Sequence, residues 1–564
     1  MRRTVYFFIQ SSHGAGAMLG ILFFFSALLT TQAQDQGEIE KVEIQIVKDK
    51  QIVLPKIDRG FEKVPPRPAE PIKPEITYSF RKVDFKTPDY NPSIRPLKLK
   101  TEPINKLYGN YVRVGYGNYA SPLIEGYLTS KRDRNKFYGV KLSHHSFGSG
   151  PVNGGSSSSG STSVKAFGNT FSQTMSAGGF LSFENWNNKF YGTLPGVFTG
   201  DASAQSYTVY ALGADLSNIT TSNFEYKLAG GFSYLADHFT SSESEINLNL
   251  TSTYKFKKSN RLNLNADYFL MNRKFEPQAA RSRHLFKIRP SYQFFPIENL
   301  MVTIGVNTAF QNDTLGSIKS VNLYPHLMAN YELSKSVQVY AGLMGDMDKV
   351  SLHSLSRENS WIRQNVLLNH TNRTAEFVGG LKGKLGGSLA FHTGFGAANL
   401  KNLYFYQNDS TKGQQFAVEV DQGNTQRVNM FAEFSYSATE KIRTSIRGDY
   451  FGYSTDKIKE AWHRPTYRVS IQASYNIYNK ILLDADFILQ GGMKALSIDD
   501  PALQTFKSVT LPGASDLNFK VSYLVSDQFS FFVKANNILD NQYQLYLYYP
   551  VRDFQALAGL TWSF

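Results

Sequence analysis

The sequence predicts an all-β protein, a closed antiparallel transmembrane β-barrel of about 22 strands with an extended Pro-rich periplasmic segment before it. Three observations carry this expectation. From residue 110 to Phe564 apolar and polar residues alternate with a period of two, which places them on opposite faces of each strand. The alternating runs reach about ten residues or more, enough for a tilted crossing of a bilayer, where soluble strands average about five or six. Aromatics make up 14% of the chain at a mean hydropathy of −0.32, the balance expected when one strand face meets lipid and the other meets water.

Residues 1–33 read as an export signal. Arg2 and Arg3 form a basic start, Ala17 to Leu29 is an apolar run, and Thr31-Gln32-Ala33 fits a small-x-small cleavage site. The run is too short for a membrane-spanning helix. No cysteine is present, so neither a disulfide framework nor an acyl anchor is expected. Residues 34–109 hold ten of the 21 prolines. Proline removes ladder donors and favours extended backbone, so this stretch is expected to be a periplasmic tether or lumen filler. Within it Val42, Ile44 and Ile46 alternate with polar residues. They form a candidate docking strand for a periplasmic or plug-like partner protein.

The barrel is expected over residues 110–564. Leu262, Leu264, Ala266, Tyr268 and Leu270 alternate with Asn263, Asn265 and Asp267, and similar runs recur to the C-terminus. Linkers alternate between short and long, as periplasmic turns and extracellular loops do. Short turns are expected at 130–136, 184–187, 218–223, 257–260, 295–299, 334–336, 386–388, 438–441, 477–480 and 525–528. Long loops are expected at 147–171, 195–205, 237–243, 272–284, 312–320, 347–373, 409–414, 454–466, 492–514 and 538–552, with 120–121 a short exception. The segments between them number 22 if 389–408 and 415–437 are single strands with irregularities near Lys401 and Asp421–Asn424. An even number returns the C-terminus to the periplasm.

The run Phe532-Val533-Lys534-Ala535-Asn536-Asn537-Ile538-Leu539-Asp540-Asn541-Gln542-Tyr543, then Tyr549-Pro550 and Phe554 to Phe564, resembles the last hairpin of TonB-dependent outer-membrane receptors. The resemblance covers residues 110–564 in pattern and about the last 35 in specific motif. It implies an outer-membrane location, solute uptake, and contact with outer-membrane lipid and lipopolysaccharide. It also implies that Trp562 and Phe564 are the signal read by the barrel-assembly machinery. Such receptors carry a globular plug of over a hundred residues before the barrel, whereas 34–109 is short and proline-rich. The chain is therefore expected to be plug-less, its lumen filled by the N-terminal segment, folded-in loops or a partner.

Alternation places Arg113, Lys141, Arg289, Lys382, Lys384, Arg443, Arg447 and Arg468 among fourteen basic inward positions, against eight acidic ones. A mildly cationic lumen would favour anionic solutes or an acidic plug, while cross-strand pairing would leave only a hydrated wall. Loop 347–373 carries Arg357, Trp361, Arg363, His370 and Arg373, a candidate contact for a ligand or for lipopolysaccharide phosphates. His144 and His145 point to opposite faces and cannot serve one site. No nucleophile–base set, metal spacing or nucleotide fingerprint is found. No enzyme, cofactor or metal is expected, and the spread of the +14 charge argues against nucleic acid. Two functions fit: solute uptake across the outer membrane, or a structural subunit of an outer-membrane assembly or secretion complex.

Overall fold

The computed structural model describes residues 77–79, 81, 108–130, 133–192, 202–219, 222–256, 259–275, 278–313, 319–409, 414–439, 441–500 and 505–564. The export signal at 1–33 and the docking strand at Val42, Ile44 and Ile46 lie outside the described residues. So does most of the tether.

The strands follow in order. First come β1 (Tyr111–Gly117), β2 (Ser121–Thr129), β3 (Lys136–Phe147), β4 (Ser159–Phe171), β5 (Met175–Lys189), β6 (Ala204–Asn218), β7 (Phe224–Asp237) and β8 (Ser241–Lys255). Next are β9 (Arg261–Phe275), β10 (Gln278–Ile297), β11 (Leu300–Gln311), β12 (Val321–Ser334), β13 (Val337–Asp348), β14 (Thr371–Leu385), β15 (Leu389–Asn408) and β16 (Phe416–Thr439). The remainder are β17 (Ile442–Ser454), β18 (Tyr467–Ile477), β19 (Ile481–Gly491), β20 (Lys494–Asp500), β21 (Thr505–Thr510), β22 (Ala514–Leu524), β23 (Phe529–Asn536), β24 (Gln544–Tyr546), β25 (Tyr549–Pro550) and β26 (Gln555–Ser563). Among the described residues one α-helix, α1 (Leu352–Glu358), lies between β13 and β14.

Twenty-two strands form one antiparallel sheet, and β20–β21 and β24–β25 are small ladders within the loops. Each wall strand pairs with the next in sequence, and β1 pairs with both β2 and β26, Arg113 standing opposite Glu125 on one side and Thr561 on the other. The sheet is therefore closed. Closure is what lipid demands, because an open edge would leave backbone donors and acceptors unpaired in hydrocarbon.

The outer face is the apolar half of the alternation: Leu181, Leu212, Leu248, Leu323 and Phe531 are all at least 49% exposed. Large apolar side chains at that exposure are explained by a surrounding lipid phase, and with 22 strands they make this an outer-membrane barrel. Short turns gather at one end, the periplasmic one by the usual asymmetry of such barrels. Gly386, at φ +66, makes one of them, a conformation that a Cβ disfavours. Trp562 and Phe564 sit at this end, stacked at 4.5 Å, and the Phe564 N–H donates to the Asn110 carbonyl.

The expected strand number stands, and so does the reading of 389–408 as one strand. Its irregularity is a bulge between Lys401 and Leu403, where Asn402 has φ 56. Several boundaries are corrected: the loop expected at 237–243 spans only 238–240, the turn expected at 295–299 only 298–299, and three others shift as follows. Residues 159–171 form β4, so the loop expected at 147–171 spans only 148–158. The turn expected at 184–187 lies inside β5, and the true turn is 172–174. The loop expected at 272–284 is mostly β9 and β10, which stop at Phe275 and resume at Gln278. In the last two cases polar, charged residues imitate a turn. They are polar because they face folded-in loops above the membrane.

Candidate functional site: a loop lid across the barrel mouth

β15 and β16 run 20 and 24 residues, about twice what a crossing requires, and their excess stands above the membrane. Into the mouth so walled folds the segment 349–370. Ser351 caps α1 by accepting from the Ser354 amide, and Ser354 returns the bond. That reciprocal cap is what lets seven residues hold a helix. Behind the cap, Glu243 of β8 accepts from the Leu352 and His353 amides at 3.0 and 3.2 Å. A carboxylate there suits the positive end of the helix.

The segment then crosses the barrel. Trp361 Nε1 donates to the Lys189 carbonyl at the end of β5 (3.0 Å), while the Trp361 carbonyl accepts from the Phe416 amide at the start of β16 (2.9 Å). In a 22-stranded ring β5 and β16 are eleven strands apart by either route, so one residue, by its side chain on one side and its backbone on the other, links opposite walls. Around it Trp186, Tyr191, Tyr207, Leu235, Leu355, Ile362, Tyr406, Phe416 and Tyr549 form a buried apolar core. Trp361 and Tyr549 rings lie 4.1 Å apart, Tyr191 and Tyr549 4.9 Å, and Phe416 and Tyr546 5.4 Å. Such packing gains about 0.5–1.5 kcal/mol per aromatic pair beyond burial.

Charges fasten the rim. Arg357 pairs with Glu184 and lies 3.8 Å over the Trp186 ring. Lys349 binds Glu245 at 2.5 Å. Glu358 accepts from Tyr404 (2.6 Å) and Arg464 (2.8 Å), linking α1 to β15 and to loop 455–466. Arg283 of β10 makes a two-pronged pair with Asp313 (2.6 and 3.1 Å) and donates to the Val350 carbonyl (2.8 Å). His370 Nδ1 accepts from the Val350 amide at 3.1 Å. Burial, with Arg283 beside it, pushes the His370 imidazole down to about 3. His463 of loop 455–466 donates from Nδ1 to the Tyr406 carbonyl (2.7 Å) and accepts at Nε2 from the Leu547 amide (3.3 Å). Burial pushes it down to about 4, against the pull of its Tyr406 bond.

The basic and aromatic residues expected to meet an external ligand are thus committed internally. Arg357, Trp361 and His370 are held as described, Arg363 pairs with Asp409, and Arg373 pairs with Glu376 and Asp348. Sequence reasoning missed Glu243, Arg283, Asp313, His463 and Tyr549. Their shared signal was charge or aromaticity in the loops and the strand segments next to them, which only the fold gathers around one lid.

Below the lid, the eight expected basic positions all lie on the face opposite the exposed apolar residues. Arg113 pairs with Glu125 at 2.8 Å, Arg289 bridges Asp267 and Asp346, and Arg447 bridges Glu433 and Asp449 at 3.0 and 2.8 Å. Lys141, Lys382, Lys384, Arg443 and Arg468 are exposed and make no ion pair among the described residues. His144 and His145 bond Thr162 and Ser121 respectively. Among the described residues no group of acids or histidines could hold a metal.

No protein-family model and no curated protein matches the chain. Solved structures do. The receptor FpvA of Pseudomonas aeruginosa bound to heterologous pyoverdines superposes with a TM-score of 0.63 at 13% identity, over 81% of this chain and 72% of that one. The ferric-catecholate import receptor Fiu of E. coli K12 gives 0.62 at 10% identity, over 82% of each chain. The siderophore receptor PirA of Acinetobacter baumannii gives 0.62 at 10%, over 81% and 80%. Together with the closed ring of 22 strands, these likenesses show that the chain has the fold of the TonB-dependent outer-membrane receptor barrels.

Proposed function

We propose that this chain takes up an anionic solute across the outer membrane, its own loops closing the outer mouth and the N-terminal segment or a partner closing the periplasmic end. The observation that carries the reading is the lid, because Trp361 joins opposite walls over a lumen in which Lys141, Lys382, Lys384, Arg443 and Arg468 remain exposed. Unpaired lysines and arginines in a restricted channel favour anions. The likeness to siderophore receptors supports uptake over catalysis.

Planar-bilayer conductance tests it. Val350 and His370 are in hydrogen-bond contact, so residues 352–369 can be replaced by a short glycine linker. Removing both that segment and residues 35–105 is expected to give a large, anion-selective conductance that either deletion alone gives only in part. A double deletion that remains non-conducting would overturn the reading. The extent of the lid's buried core favours a second reading, a structural subunit of an envelope complex that never opens. Gentle extraction from the native membrane separates the two: a lone barrel or a single plug-like partner fits uptake, and a stable multi-subunit assembly fits the scaffold.

A further inference from the structure

At one edge of the lid the bonding is incomplete. On the inner face of the wall Arg273 of β9 stands directly opposite Arg281 of β10. Like charges in that register repel; Glu243 and Asp237 offset part of this at Arg273, but neither arginine makes an ion pair among the described residues. Arg273 donates to the Gln364 and Val366 carbonyls of the lid, and its Nε is buried without a partner. Arg281 is exposed and makes no ion pair among the described residues. The nearby acids are already engaged. Glu243, opposite Arg273 on β8, accepts the α1 amides. Asp237 accepts the Phe239 and Ser241 amides, and Asp313 is taken by Arg283.

The same two arginines line a cavity of about 610 Å³ between the β9–β10 hairpin and the lid, whose other walls include Phe275, Val366 and Leu367. That volume lies within the range of small-ligand pockets. Pairing of β10 with β11 begins only at Leu285, and beyond it Asn312 and Asp313 hold Ser282, Arg283 and His284 of the hairpin.

We propose that Arg273 and Arg281 form a seat for an oxyanion, a phosphate or carboxylate carried on an apolar body, and that filling the seat unlatches the lid. Guanidinium pairs are suited to clamp such a head, and the apolar walls take the attached chain. An anion that engages Arg273 competes with the Gln364 and Val366 carbonyls for the same donors, so occupancy and lid closure oppose each other, and the coupling is reciprocal. The seat stands apart from the uptake reading, since a scaffold with this lid would carry it too.

The test uses the full chain in lipid nanodiscs free of lipopolysaccharide, titrated calorimetrically with dodecyl phosphate and with inorganic phosphate. Dodecyl phosphate is expected to bind more tightly than inorganic phosphate. Arg281→Gln should weaken it about tenfold or more, the loss of one charge-assisted contact. Arg273→Gln should do the same, and Lys480→Gln, in the short turn between β18 and β19, should leave it unchanged. Arg281 holds no part of the lid, so its variant is informative even if Arg273→Gln fails to fold. Absence of binding, or binding that both seat variants retain, overturns the seat. Hydrogen exchange at 364–368 should rise when dodecyl phosphate binds, and unchanged exchange on a loaded seat overturns the latch. Nanodiscs containing lipopolysaccharide distinguish the source of the ligand. If they abolish dodecyl phosphate binding, the oxyanion is a lipid headgroup; if binding persists, it is a soluble amphiphile.

Discussion

A histidine at the lid's hinge makes closure sensitive to acid. In the closed lid burial and the adjacent Arg283 push the His370 imidazole from its ordinary 6.5 down to about 3, and opening the lid would release it toward the ordinary value. The closed form therefore binds fewer protons. A group whose pKa is depressed by folding contributes stability above its unfolded value and loses it as pH falls, here from 6.5 toward 3. His463, lowered to about 4, acts in the same direction. In Asp313, burial pushes the carboxyl up, but the Arg283 hydrogen bonds and His370 outweigh it and hold it low, so acid weakens that pair as well. The protection of amides at 349–370, exchange taken relative to the intrinsic rate at each pH, is expected to fall steadily between pH 6.5 and 4, and His370→Gln should flatten the upper part of that profile. Protection independent of pH would show that these side chains do not hold the lid.

At the scale of elements, the cap on α1 and the bulge in β15 decide where the lid sits. Seven residues are too few for a helix to persist on propensity alone, so the Ser351 cap and the Glu243 carboxylate carry much of α1. Ser351→Ala is expected to cost about 1 kcal/mol, read as faster exchange at 352–358 with the barrel strands unchanged. If the strands lose protection in parallel, α1 is not a separate unit. Beyond the bulge in β15 the register is regular again, and adjacent Phe405 and Tyr406, which point to opposite faces, are both buried, so this part of the strand is covered on both sides. Asn402 was not legible as the pivot of the bulge, although asparagine tolerates left-handed backbone better than most residues. The polar stretches Glu184–Asn187 and Asn272–His284 misled for a related reason. Period-two reading assigns polar clusters to turns, whereas here Glu184, Arg273 and Arg283 are strand residues facing a folded loop.

For the whole molecule, closure between β1 and β26 sets assembly. Trp562 and Phe564 lie at the seam's periplasmic end, where Phe564 also closes onto Asn110. Deleting Phe564 should reduce the yield of heat-stable barrel in outer-membrane fractions several-fold, and normal yield would dissociate this residue from assembly. Strand number, closure and the lipid-facing surface follow from alternation along the chain, since each depends on residues two apart and on an even count, and both are written locally. The lid was not foreseeable in that way. Trp361, Lys189 and Phe416 are far apart in sequence and sit on opposite walls, and only the closed ring brings them within reach. The same holds for the Arg273–Arg281 seat, whose sequence reads as a charged loop until the hairpin's register sets one guanidinium against the other. Local periodicity determined the barrel, while the long-range packing of its loops decided what the barrel holds shut.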